Sequence, residues 1–178
     1  MRRTTVMIFL LCAFTGTVLT LQTAQSQDKT SEVRVGIYNS RLVGLAYGRS
    51  EAHGKYVESV KAEHKQAKAD NDTTKMQELE TTMELAQKLM HWQVFGNFPI
   101  RDIMEKIADK LPGIAEKAGV DIIVSKWDIS FQKSDVEFVD VTEHIVALFN
   151  PDEKTQMIMK QMESQPVVPW EDLQDHKH

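Results

Sequence analysis

The chain has one cysteine in 178 residues, Cys12, so it can close no disulfide within itself and offers no cysteine pair to a metal. Glycine is scarce too, with eight in all and none clustered. A phosphate cradle needs several glycines within a few residues, and a hydrolase elbow needs glycine around its nucleophile. Neither arrangement is present, and no nucleophile, acid and base can be placed in one pocket, so the sequence points away from an enzyme. Positive charge is in deficit, 21 Lys and Arg against 26 Asp and Glu. Nucleic-acid binding rests on cations that neutralise phosphates, so nucleic acid is not an expected partner. Long apolar runs are missing everywhere except at the start.

That start has the outline of a secretory signal peptide: Arg2 and Arg3, an apolar run over residues 6–21, then a polar stretch with small residues. The run is 16 residues, short of the roughly 20 that a spanning helix needs. Ala24 and Ser26 stand at the spacing a signal peptidase reads, which places cleavage after Ser26. Leu11 before Cys12 does not fit a lipid-attachment box. Residues 1–26 are therefore expected to be removed, leaving an extracytoplasmic chain of 152 residues with a formal charge of −7 and no integral membrane segment.

Val33, Val35 and Ile37 alternate with Arg34, Gly36 and Tyr38, the period of a strand with one buried face, and Asn39-Ser40 ends it. Residues 49–94 then read as two helices joined at Asp70-Asn71-Asp72-Thr73, where short polar side chains favour a turn and supply an N-cap. Met76, Leu79, Met83, Ala86 and Met90 repeat at three and four, a coiled-coil seam. Val57, Val60, His64 and Ala67 make a thinner stripe on the first helix. Two such narrow stripes suffice for one pairing seam and little more, so an antiparallel hairpin projecting as an arm is predicted. Its seam residues Val57, Val60, His64, Ala67, Met76, Leu79, Met83 and Met90 are the candidate binding surface.

Beyond the arm, Ile100, Ile103, Met104, Ile107, Ala108 and Leu111 predict a helix packed on something large, kinked or restarted at Pro112-Gly113 and closed by Gly119. Residues 120–124 are a β-branched run that predicts a buried strand. Ile129, Phe131, Val136 and Phe138 predict a β-hairpin with these four inward, and Thr142 predicts the cap of a helix carrying Ile145, Val146, Leu148 and Phe149. Body or oligomer core is assigned to Val35, Ile37, Ile122, Val124, Phe131, Phe138, Ile145 and Leu148. The fold class is α+β, a small sheet body with a coiled-coil arm.

Residues 151–178 read as a separate acidic tail with one helix around 155–162. From Asp135 onward ten acids face three lysines. The plain reading is a solubilising segment; the alternative is that Val167, Val168 and Trp170, bracketed by Pro166 and Pro169, dock on the body or a partner.

The histidines and methionines admit ordinary explanations. His53 and His64 lie three turns apart on one helix and cannot share an ion. His91 and His144 are isolated, and the His176-His178 tract lacks fixed geometry, so no metal or other cofactor is expected. His64 on the seam would tie arm pairing to pH, although a half-exposed histidine is the commoner case. The arm methionines suit both core filling and an adaptable surface.

Three stretches carry a family resemblance: Val33-Arg34-Val35-Gly36-Ile37-Tyr38-Asn39-Ser40, Gly119-Val120-Asp121-Ile122-Ile123-Val124, and Val139-Asp140-Val141-Thr142-Glu143-His144-Ile145-Val146-Ala147-Leu148-Phe149-Asn150. In this order the chain resembles the Skp/OmpH family of periplasmic chaperones over residues 33–150. The resemblance implies a periplasmic homotrimer, a domain spanning residues 27–150, and non-enzymatic holding of unfolded outer-membrane or envelope proteins between helical arms. Family arms are longer and basic, whereas residues 49–92 here carry seven cations against eight acids. The second expectation is therefore an envelope structural or adaptor protein that oligomerises through its β body and binds one folded partner.

Overall fold

The computed structural model describes residues 33–173; the leader read over residues 1–26 and the His176-His178 tract lie outside them. Within them the fold is mixed helix and strand. The sheet has three strands, β1 (Val35–Tyr38), β2 (Ile122–Ser125) and β3 (Phe138–Asp140), with β1 central and parallel to both neighbours.

The alternation in β1 is present, but the buried face is the opposite one. Gly36 and Tyr38 point into the core, aligned with Ile123 and Val139, while Val35 and Ile37 are half-buried. The reason lies at Gly36, where a Cβ would stand 3.1 Å from Val120 Cγ2 and 3.3 Å from Val141 Cγ1. A glycine that lets two side chains close over the strand looks like a polar position in a hydrophobicity pattern.

α1 (Ser40–Gly48) starts directly after β1, where the sequence predicted only the end of a strand. Its residues from Ser40 to Tyr47 are all buried, the polar Ser40 and Arg41 included, and at nine residues it is short. It is the centre of the core, packed with Val141, Ile145, Ile100 and Ile103. α2 (Glu51–Ala69) and α3 (Thr73–Phe95) follow close to the predicted bounds. Ser50 caps α2 by accepting from the His53 N–H, and Asp72 caps α3 by accepting from the Lys75 N–H at 2.9 Å. Asn71, at φ 55°, makes the turn between them.

The helix expected from Ile100 to Leu111 stops early, as α4 (Arg101–Lys106), and the restart expected at Pro112-Gly113 is α5 (Leu111–Ala118), with Pro112 in its first turn where the missing N–H costs nothing. Gly119 closes α5 at φ 65°. The predicted β-hairpin over 129–138 does not form. Residues 126–137 contain no strand, Phe131 is 81% exposed and Val136 is exposed, while Phe138 opens β3 alongside β1. Local alternation suggested a local partner; the free edge of β1, far away in sequence, took the strand instead.

α6 (Thr142–Val146) runs into a short 3₁₀ turn that ends at Asn150, φ 48°. Thr142 does not cap it: its Oγ1 accepts from the Asn39 N–H at 2.9 Å, and the Asp140 carboxylate accepts from the Thr142 N–H at 2.8 Å. Of the eight residues assigned to the body core, Ile145 is fully buried in the single chain. Val35, Ile37, Val124 and Phe138 are half-buried; Ile122, Leu148 and Phe131 are exposed.

The acidic segment is no loose tail within the described residues. α7 (Glu153–Glu163), capped by Asp152 accepting from the Thr155 N–H, buries Thr155 and Met162 beside α1. A 3₁₀ turn at Trp170–Leu173 packs on the end of α3, where Trp170 meets Trp92 and Phe98 with ring centroids 5.5 and 5.0 Å away. Docking of Trp170 on the chain's own body is thus the outcome, while Val168 stays exposed.

Candidate functional site

The seam between α2 and α3 has two parts. Near the turn it is closed: Val60, Ala67 and Leu79 are buried against one another with Met76 and Met83 beside them. His64 Nε2 lies 3.0 Å from Glu80 Oε1 at the margin of this closed stretch and joins the two helices. Ala67 and Leu79 use their apolar surface in helix pairing and have none left for a ligand.

Toward α1 the seam opens into a cleft of about 520 Å³. Val57, Val60, Met83 and Met90, four of the eight predicted seam residues, line it, joined by Leu45, Val94 and Phe95; His64, Ala67, Met76 and Leu79 do not. The polar lining is Arg49, His53, Tyr56, Lys61, Gln87 and His91, with no aspartate or glutamate among the lining residues. Arg49, Tyr56, Lys61 and Gln87 escaped the sequence reading because in a charged, polar stretch they look like solvated surface, and His53 and His91 were weighed there only as metal ligands.

The geometry at the α1 end is set by local bonds. Ser50 Oγ donates to the Tyr47 carbonyl at 2.6 Å, which fixes the step from α1 to α2. The His53 ring then stands between Tyr47 and Tyr56, with centroids 5.2 and 6.2 Å away. Its Nδ1 is buried without a hydrogen-bond partner. Burial, and behind it the charge of Lys106, hold the imidazole below its ordinary pKa, so it is neutral at pH 7. Burial likewise pushes the Tyr47 phenol up, with Asp102 and Tyr56 adding to the shift. Arg49 and Lys61 make no ion pair among the described residues. The charge of Arg49 does reach Asp152, whose carboxyl is held low first by hydrogen bonds from Thr155.

Arg41 explains how the cleft floor is held. It is 4% exposed, and its Nε and Nη1 donate to the carbonyls of Val94 and Gln165, each at 3.3 Å. The Val94 carbonyl is in the last turn of α3, where the helix dipole concentrates negative charge, and the Gln165 carbonyl lies two residues past the end of α7. One guanidinium thus joins the end of α3 to the segment after α7 through backbone carbonyls, at a cost in desolvation that lowers its pKa.

A second groove, of about 910 Å³, runs between α1, α6 and α7 past Asp140, Glu143, Glu163 and Lys160. The sheet face opposite the helices carries Val35, Ile37, Ile122, Val124 and Phe138 side by side. Among the described residues no three His, Cys, Asp or Glu side chains converge as a metal site, and no helix is long and apolar enough to cross a membrane. No protein-family model, curated protein or solved structure matches the chain.

Proposed function

We propose that the protein is a non-enzymatic holdase of the periplasm, of the Skp/OmpH type, which keeps unfolded outer-membrane or envelope proteins from aggregating. The observation that carries this reading is the apolar cleft where the α2–α3 seam opens, a surface of Val, Met and Phe side chains with no catalytic set around it. Shallow apolar surface built partly from methionine makes many weak contacts and selects no single shape, which is what an unfolded client requires.

In this reading α2 and α3 form an antiparallel arm and the described body assembles with other copies, most simply as a trimer. The row Val35, Ile37, Ile122, Val124 and Phe138 supports assembly: these residues are apolar, in register and only half-buried or exposed in the single chain, with Asp140 beside Ile37 at its edge. Burying such a face between subunits would add to a modest single-chain core.

The test is light scattering during dilution of a urea-unfolded β-barrel, with and without the protein, at several molar ratios. Suppression that saturates near about three chains per client is expected for a trimer. Shortening both helices by whole heptads should remove suppression while leaving the oligomer intact. Absence of suppression at excess protein would turn the function toward an adaptor with one folded partner.

A further inference from the structure

We propose that the cleft at the α1 end of the α2–α3 pair binds a single-chain amphiphile with a carboxylate head, a free long-chain monocarboxylate. The proposal does not depend on client holding; it follows from the charge and shape of the cleft.

The chain as a whole has five more acids than cations, yet none of the residues lining this cleft is acidic. Arg49 and Lys61 line it as fixed cations, beside the neutral His53 ring. Such a local reversal of charge selects for a negative ligand group. The walls between the cations are apolar, so the rest of the ligand must be apolar as well.

The cleft is also long. Lys61 stands ten residues beyond Glu51, the first residue of α2, about 15 Å along the helix at 1.5 Å per residue, and Arg49 lies just before that start. Val57 and Val60 from α2 and Met83 and Met90 from α3 lie between. An extended alkyl chain fits a slot of this kind better than a compact ring system does.

The head group belongs at the Arg49 end. A guanidinium fork matches a carboxylate in two parallel hydrogen bonds, which a lysine ammonium cannot do. His53, at the same end, keeps a buried Nδ1 without a partner, and Lys106 adds positive potential there. Asp152, which feels the charge of Arg49, stands outside the lining.

The test is calorimetric titration of the full protein with dodecanoate, dodecanol and dodecyltrimethylammonium, each below its micelle concentration. Saturable dodecanoate binding at one site per chain is expected, with the ammonium amphiphile bound at least about tenfold more weakly. Arg49→Gln should weaken dodecanoate by about tenfold and leave dodecanol unchanged. Val57→Trp, which fills the slot, should weaken both; Ala86→Trp does the same from the α3 side should the first variant fail to fold. Equal binding of the two charged amphiphiles, no saturable binding, or dodecanoate affinity unchanged in a folded filling variant would overturn the proposal. Light-scattering suppression by the same preparations reports client holding separately, so loss of one property is distinguishable from loss of the other.

Discussion

The backbone N–H of Asn39 and the side-chain oxygen of Thr142 meet at 2.9 Å, 103 residues apart, in the buried junction between β1 and α6. Thr142→Val keeps the shape and removes the acceptor. A buried N–H is then left without a partner, at a cost of about 1–3 kcal/mol. Thermal unfolding should show a Tm lower by about 2–4 °C for each kcal/mol lost, with Thr142→Ser close to the parent.

Arg41 ties α3 to the end of α7 through the Val94 and Gln165 carbonyls. Arg41→Lys offers a single ammonium with no planar fork to span two acceptors. The stability loss should be about 1–3 kcal/mol. Limited proteolysis should find new cleavage after residue 163 before the rest of the chain is cut.

Gly96 is where the C-terminal segment crosses α3. A Cβ there would come within 2.8 Å of the Trp92 carbonyl oxygen and 3.0 Å of the Trp170 Cα, both backbone atoms that cannot swing aside. Gly96→Ala should therefore lift the 170–173 turn from α3. Trp92 and Trp170 would separate, and tryptophan fluorescence would shift to the red while far-ultraviolet dichroism stays nearly constant. An unchanged emission spectrum would count against this packing.

His53 gives a pH dependence with a definite sign. Its folded pKa lies below the ordinary 6.5, first through burial and then through Lys106. Below pH 6.5 the unfolded chain binds a proton that the folded chain does not take up until lower pH, so stability falls as pH drops through that window. His53→Phe keeps an aromatic ring between Tyr47 and Tyr56 and should flatten the profile on the acid side of pH 6.5. Chemical denaturation at a series of pH values is the check.

The helices of the pair were legible because their signals are local: seam residues at three and four, and a turn over Asp70 to Thr73 that supplies the cap at Asp72. α1 was not, since it is only nine residues long, starts directly after β1, and buries its polar Ser40 and Arg41 with the rest. The face of β1 was misread at Gly36, and the strand at Phe138 was given a neighbouring partner when its real one is β1. The cleft was half legible. Its methionines and valines stood out as a stripe, whereas Arg49, His53 and Lys61 acquire meaning only from the absence of acids around them in space.

The central position of β1 has a consequence for the order in which the molecule forms. α2 and α3 need only contacts across a short turn and can pair early, but β1 closes on β2 and β3 across separations of 87 and 103 residues, as the bonds from Arg34 and Asn39 record. Until those loops close, both edges of the first strand remain open. A second copy arriving in that interval meets a template with two free edges, so the yield of correctly refolded protein should fall as chain concentration rises, through exchange of the N-terminal strand between molecules.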